Sequence, residues 1–307
     1  MKKLVIYFTI ICLTYSLETA TFILDNDMLF SDKWYTNGME VKYDDYSFNK
    51  EKNSLKYNEK DTYLIGQKMF VPTTFYKSPE YIDTYDRPFA GYLYFGKLKE
   101  KYFENNNYTK KGLLVEIIGS KSFAEDAQEY HHENFGMTTP RGWDTQIEDI
   151  YGLAYIYERS SNYKEYKIDD NISFDERLVT GLHMGNVMFY GELYGAFRFG
   201  KINKPYEFKG REEEGGFFSP DELYMIAEGG VMAKVHDSTL EGDWFGDNSP
   251  LTVDYYPLLA TNKIGFVSRW NNFQFDYELA IQSTEIKSRK WSMNDFKYHT
   301  LKFTYIW

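Results

Sequence analysis

The chain of 307 residues is acidic, with 35 Lys+Arg against 46 Asp+Glu, a balance that argues against a nucleic-acid partner. Its single cysteine, Cys12, falls in an apolar leader, so the rest of the chain has no means to form a disulfide, a thiol nucleophile or a Cys-ligated metal site. With 29 Tyr, 24 Phe and 6 Trp, aromatics make up 19% of a chain that is otherwise polar; a water-soluble core does not need so many, whereas a membrane barrel uses them at both interfaces and on its lipid face.

Residues 1–16 read as a signal peptide. Lys2 and Lys3 give a basic start, Leu4 to Tyr15 an apolar run, and Thr14-Tyr15-Ser16 small residues for cleavage at 16–20. The run is too short for a spanning helix, which needs about 20 apolar residues. Residues 17–307 read as one domain, with no repeat, linker or low-complexity tract.

Beyond the leader, the recurring pattern is alternation over about ten residues. Strands are expected near 20–27, 36–47, 60–71, 89–103, 110–120, 148–159, 174–184, 187–200, 222–236, 260–270, 272–286 and 297–307. In the eleventh, Phe273, Phe275, Tyr277, Leu279 and Ile281 share one face, and Gln274, Asp276, Glu278 and Gln282 the other. In the last, Leu301, Phe303, Tyr305 and Trp307 oppose Lys302 and Thr304. Alternation alone suits a soluble β-sandwich as well. The terminal Trp307 on the lipid-facing register and the even strand count favour an all-β, twelve-stranded antiparallel transmembrane outer-membrane β-barrel. Gly185-Asn186 and Asn271-Asn272 are short turns, while 121–147 and 237–259 are long, elaborated connections, the first extracellular.

The stretch DNDMLFSDKWYTNG, residues 25–38, joins the first two strands. A hairpin there sets Asn26 and Asp27 beside Thr36. Neighbouring side chains on a flat strand point to opposite faces, so Asn26 and Asp27 share a site only if the strand bends or bulges; otherwise DND and TNG are ordinary turn residues. Asp25 and Asp27, with Asp32 nearby, are oxygen ligands of the kind a hard cation such as calcium takes, although their spacing is not that of an EF-hand. Of five histidines, His183, His236 and His299 fall within strands. His131 and His132 fall in the long connection, within QEYHHENFG, where an imidazole is able to act as general base. Lys68, Lys77 and Arg87 are candidates for the phosphates of an anionic lipid, or simply solvent-facing charges. No HExxH and no GxSxG motif occurs.

Five motifs in order, DNDMLFSDKWYTNG, QKMFVP with Lys77, YDRPFAGYLY, QEYHH and RGWDTQIED, resemble the outer-membrane lipid A 3′-O-deacylases, the LpxR-type family. They span residues 21–149; the later half matches only as barrel strands. The resemblance implies a calcium-dependent hydrolase of the 3′-linked acyloxyacyl ester of lipid A, integral to the outer membrane; a monomer is the default expectation. It implies catalytic roles for His132 (four residues after Gln128), Asp27, Asn26 and Thr36. It also implies substrate binding by Lys77, to which Arg87 is added as a candidate phosphate contact; Asp27 and Asp25 are the candidate metal ligands. Asp27 would hold calcium or orient His132; Thr36 would hydrogen-bond within the site or act as nucleophile. The glutamate that the family carries beyond the His has no counterpart here, where Met137 or Thr138 stands and Glu133 is out of register. A barrel without activity, porin-like, is therefore an alternative. An outer-membrane phospholipase is a second, although its His-x-Ser-Asn-Gly string is absent.

Overall fold

The computed structural model describes residues 17–27, 34–52, 55–73, 86–203, 221–246, 249–287 and 296–307. The expected leader over 1–16, Asp32 and Lys77 lie outside them. Twelve antiparallel strands close into a barrel, each paired with its sequence neighbours. They are β1 (Leu17–Asn26), β2 (Trp34–Lys52), β3 (Leu55–Val71), β4 (Ala90–Phe103), β5 (Tyr108–Ile118), β6 (Ile150–Lys167), β7 (Ser173–Gly185), β8 (Met188–Lys201), β9 (Glu222–Asp237), β10 (Leu258–Trp270), β11 (Phe273–Gln282) and β12 (Phe296–Ile306). β12 pairs back onto β1, from Thr19 with Ile306 to Asn26 with His299. Closure leaves no strand edge unpaired, which is what a sheet surrounded by hydrocarbon requires. The ends of the barrel strands are stitched together at Trp307, whose backbone N–H donates to Glu18 O at 3.0 Å and whose indole N–H donates to the Glu18 carboxylate at 3.0 Å.

The two faces of the wall differ as the alternation predicts. Phe22, Val41, Ile65, Phe95, Val115, Phe303 and Tyr305 are exposed on the outside. Inside, polar side chains find partners across strands. Thr19 donates to Asp44 at 3.0 Å, Arg198 reaches Asp175 at 3.1 Å, and Lys60 pairs with Glu100 at 3.2 Å. Such pairing also explains why β2 and β3 extend beyond the expected strands. The tract around Lys50 and Glu59 reads as a polar loop, yet the hairpin continues through it because Lys50 meets Glu59 at 3.0 Å.

Both expected short turns are present, between β7 and β8 and between β10 and β11. The expected long connections, β5 to β6 and β9 to β10, both leave the end of the barrel opposite the termini, the end that in such barrels is extracellular. They contain what strand periodicity does not announce: helix α1 (Ala124–Phe135) and the short helix α2 (Ser238–Glu241). No helix among the described residues is long and apolar enough to cross a membrane; the strands do the crossing.

Candidate active site

Helix α1 is held against the outside of the barrel wall near its extracellular rim. Gln67 of β3, on the outward register of Ile65, donates to Ser122 O at 2.6 Å. Gly119 N–H donates to Gly91 O at 3.0 Å, which ties the approach to α1 onto β4. Beneath the helix, Met69, Val71, Phe89, Ala124 and Trp143 form a small apolar core, with the Phe89 and Trp143 rings 4.9 Å apart. Burying side chains of this size stabilises by roughly 1.5–3 kcal/mol each, enough to hold one helix in place. Ala124, Gln128 and His132 recur every fourth residue and are the buried stripe of α1. Trp143 Nε1–H donates to Gln128 Oε1 at 2.9 Å, fixing the amide from behind.

The end of α1 sets the imidazole. Gly136 takes the left-handed conformation, φ 67°, which only glycine adopts without strain. The chain then turns back, so that Met137 N–H donates to His132 O at 2.9 Å. The Thr138 carbonyl thereby comes to 2.5 Å from His132 Nδ1. A carbonyl only accepts, so Nδ1 carries the proton and Nε2 the lone pair, the tautomer a general base needs.

The barrel wall supplies the rest. β2 slips one residue against β3 between Tyr35 and Asn37, which makes Thr36 a bulge. Tyr35 consequently turns into the lumen, where its hydroxyl donates to Asp25 at 2.5 Å, while Asn37 and Met39 face outward. A bend that gathers this corner is therefore on β2, while β1 keeps its register as far as Asn26. Asn26, on the outward register of β1, donates through Nδ2 to Thr36 O at 3.2 Å. Between wall and helix lies a cavity of about 280 Å³, lined by Leu24, Asn26, Thr36, Asn37, Met39 and Met69 from the strands and by Ala127, Gln128, Tyr130, His131, His132 and Met137 from the α1 region. His132 is buried and His131 exposed; His131 packs on Phe135 at 4.6 Å.

The structure thus brings Asn26, Thr36, Gln128 and His132 onto one cavity, with Asp27 fully buried next to Asn26. It takes Asp25 and Arg87 elsewhere. Asp25 faces the lumen, where Tyr35 and Thr300 donate to its two oxygens at 2.5 and 2.6 Å. Arg87 is buried at the mouth of the lumen, donating to Glu285 at 2.5 Å and Thr239 at 2.6 Å, with its guanidinium 4.1 Å from the Phe70 ring centroid. Lys68, beside Met69 in β3, also points inward, 5.5 Å from the Tyr35 ring centroid. His183, His236 and His299 are bound to Glu116, Ser238 and Tyr277 at 3.0, 2.9 and 2.8 Å. Met39, Met69, Met137 and the Thr138 carbonyl went unread in the sequence. The signal for α1 was there: AEDAQEYHHENF has no proline and many helix formers, and a glycine follows it.

Calcium takes hard oxygen ligands. The described donors at this corner are of that kind: the Asp27 carboxylate, the Asn26 amide oxygen, and Thr36 Oγ1, which is buried with no hydrogen-bond partner among the described residues. They comprise one carboxylate only, and no cluster of three or more His, Cys, Asp or Glu suited to a metal occurs among the described residues.

The family model described as "Outer membrane protein LpxR" matches residues 4–307. Among solved structures, LpxR from Salmonella typhimurium superposes with a TM-score of 0.73 at 18% identity, covering 94% of this chain and 99% of that one. The β domain of the Bordetella autotransporter BrkA gives a TM-score of 0.47 at 8% identity, over 95% of this chain and 98% of that one. No curated protein matches the chain by sequence.

Proposed function

The chain belongs to the LpxR family of outer membrane proteins, and on that premise we propose that it is a lipid A 3′-O-deacylase. The observation that carries this reading is the meeting of Asn26, Thr36 and an Nδ1-protonated His132 on a cavity whose strand side is the lipid-facing wall. An ester carried by an outer-leaflet lipid reaches such a cavity sideways, without leaving the bilayer. Its apolar lining by Leu24, Met39, Met69 and Met137 suits an acyl chain.

In this reading His132 Nε2 takes a proton from water as the water oxygen attacks the ester carbonyl. The tetrahedral intermediate collapses by expelling the sugar 3′ oxygen, which recovers the proton from His132. A free 3′ hydroxyl and the acyloxyacyl carboxylic acid result. The Thr138 carbonyl steadies the imidazolium that forms in between. The Thr36 hydroxyl and the Asn26 side chain are the polar groups nearest to hand for the developing oxyanion. Asp27, Asn26 and Thr36 are the residues that would hold calcium, which when bound supplies positive charge to an ester oxygen.

The reading is tested by mass spectrometry of lipid A incubated with purified protein, with calcium or with chelator. Loss of the 3′ acyloxyacyl group is expected, and its abolition in His132→Ala with a folded, heat-modifiable barrel. Release of fatty acid from phospholipid instead of lipid A would make the protein a phospholipase, and no release from either would leave a barrel without this activity.

A further inference from the structure

We propose that α1 is a membrane-interface helix, its exposed aromatics Phe123, Tyr130 and Phe135 seated in the lipids of the outer leaflet so that the cavity opens onto acyl chains rather than water. This inference rests on outer-membrane placement and on the geometry of the helix, not on the hydrolytic reading.

Two independent features lead to it. The first is position. α1 is fastened to the outward face of β3 and β4, through Gln67 and Gly91, not over the lumen. Its neighbours on that wall, Met39 and Val41, are exposed apolar side chains continuous with the lipid-facing surface of the barrel. The second is the segregation of its side chains. At about 3.6 residues per turn, Ala127, Tyr130, His131 and Asn134 fall on one flank of the buried stripe, and Glu125, Asp126, Glu129 and Glu133 on the other; Phe123 is the N-cap, ahead of the helical turns. The exposed aromatics are spread along the helix: Phe123 at the N-cap is 59% exposed, Tyr130 on the flank 72%, and Phe135 in the last turn, on the side of Gln128 and His132, 71%. Phe123 is moreover held at φ 58°, a conformation that bulky side chains avoid.

A solvated helix has no use for three bare aromatics beside a lipid wall, whereas interfacial helices place aromatics in the headgroup region and charges away from it. Tyrosine is suited to that boundary, with an apolar ring and a polar tip. The partner is therefore a lipid surface. Four carboxylates on the far flank oppose insertion from that side.

The test is site-directed spin labelling of the full chain with Cys12→Ser. Single cysteines replace the exposed aromatics Phe123, Tyr130 and Phe135 and, on the acidic flank, Glu129 and Glu133. The protein is reconstituted into phosphatidylglycerol and phosphatidylcholine vesicles containing lipopolysaccharide. Collisions with oxygen and with a water-soluble nickel chelate then give depth. Labels at Phe123, Tyr130 and Phe135 are expected about 5–10 Å below the headgroup surface, with those at Glu129 and Glu133 in water. Equal exposure of all five labels to nickel would overturn the proposal. So would labels at Phe123, Tyr130 and Phe135 shielded from both reagents, since another protein segment or a second copy would then cover them. Depth is read without turnover, so failure here and failure of the hydrolytic reading are separate results.

Discussion

Gly91→Ala is the substitution that most directly separates the site from the barrel. A Cβ at Gly91 would stand 2.0 Å from Ser122 Oγ, 2.5 Å from Ala124 Cβ and 3.2 Å from Ser122 Cβ. The hydroxyl can rotate away, at the loss of its 2.6 Å bond to Gly119 O. The Ala124 Cβ belongs to the helix itself, and restoring ordinary contact means moving the start of α1 outward by about 1 Å, an overpacking that costs roughly 1–3 kcal/mol. His132 travels with the helix while Asn26 and Thr36 stay on the strands. A displacement of about 1 Å between catalytic groups costs on the order of 10²-fold in rate. Release of the acyloxyacyl group, followed by mass spectrometry, should fall accordingly while the barrel stays folded and heat-modifiable. Removing the opposing Cβ with Ala124→Gly in the same chain should recover most of the rate, less about 1 kcal/mol of helix stability. Wild-type turnover by Gly91→Ala would refute the reasoning, because the register between helix and wall would then not matter.

Three further perturbations probe separate parts of the molecule. Gly136→Ala introduces no clash, since nothing lies within 4 Å of the added Cβ, but strains the left-handed turn by roughly 1–2 kcal/mol; it should lower deacylation by loosening the Thr138 hold on His132, with barrel melting unchanged. Arg87→Met leaves Glu285 with Lys234 as its remaining cation, so melting should show destabilisation of about 3 kcal/mol, the low end for a broken buried pair, and an unaltered melt would deny the pair any role at the lumen mouth. Burial raises the Glu285 carboxyl, but Lys234 and Arg87 outweigh it and hold it below its ordinary value. A carboxyl lowered in the folded state adds stability above its unfolded pKa and loses it as pH falls through the folded one. Thermal stability should therefore hold from neutral pH to about 5 and decline below about 4, and Glu285→Gln should flatten that decline.

The barrel was legible because its code is local. Phe273 and Phe275 against Gln274 and Asp276 declare two faces within four residues, and hydrocarbon outside with a polar lumen inside leaves that pattern one register. β2 and β3 were cut short for the opposite reason: Lys50 and Glu59 look like loop residues until each is seen to be the other's partner. Within the site, the choice of His132 over His131 came from the family resemblance, as the His four residues after Gln128; the structure puts that spacing on helix α1, where it is one face.

The sequence by itself determined a twelve-stranded wall, its two long connections, and the residue types available for chemistry, all of which depend on patterns within short windows. Only the tertiary structure decided which of those residues meet. The bulge at Thr36 sent Tyr35 inward to Asp25 and left its own carbonyl to Asn26 at the outer wall, and Glu285 drew Arg87 to the lumen mouth. α1 lies outside the wall because Gln67 and Gly91 bind its approach there. These contacts join residues from ten to nearly two hundred positions apart, and their outcome depends on closing the barrel, which no local pattern encodes.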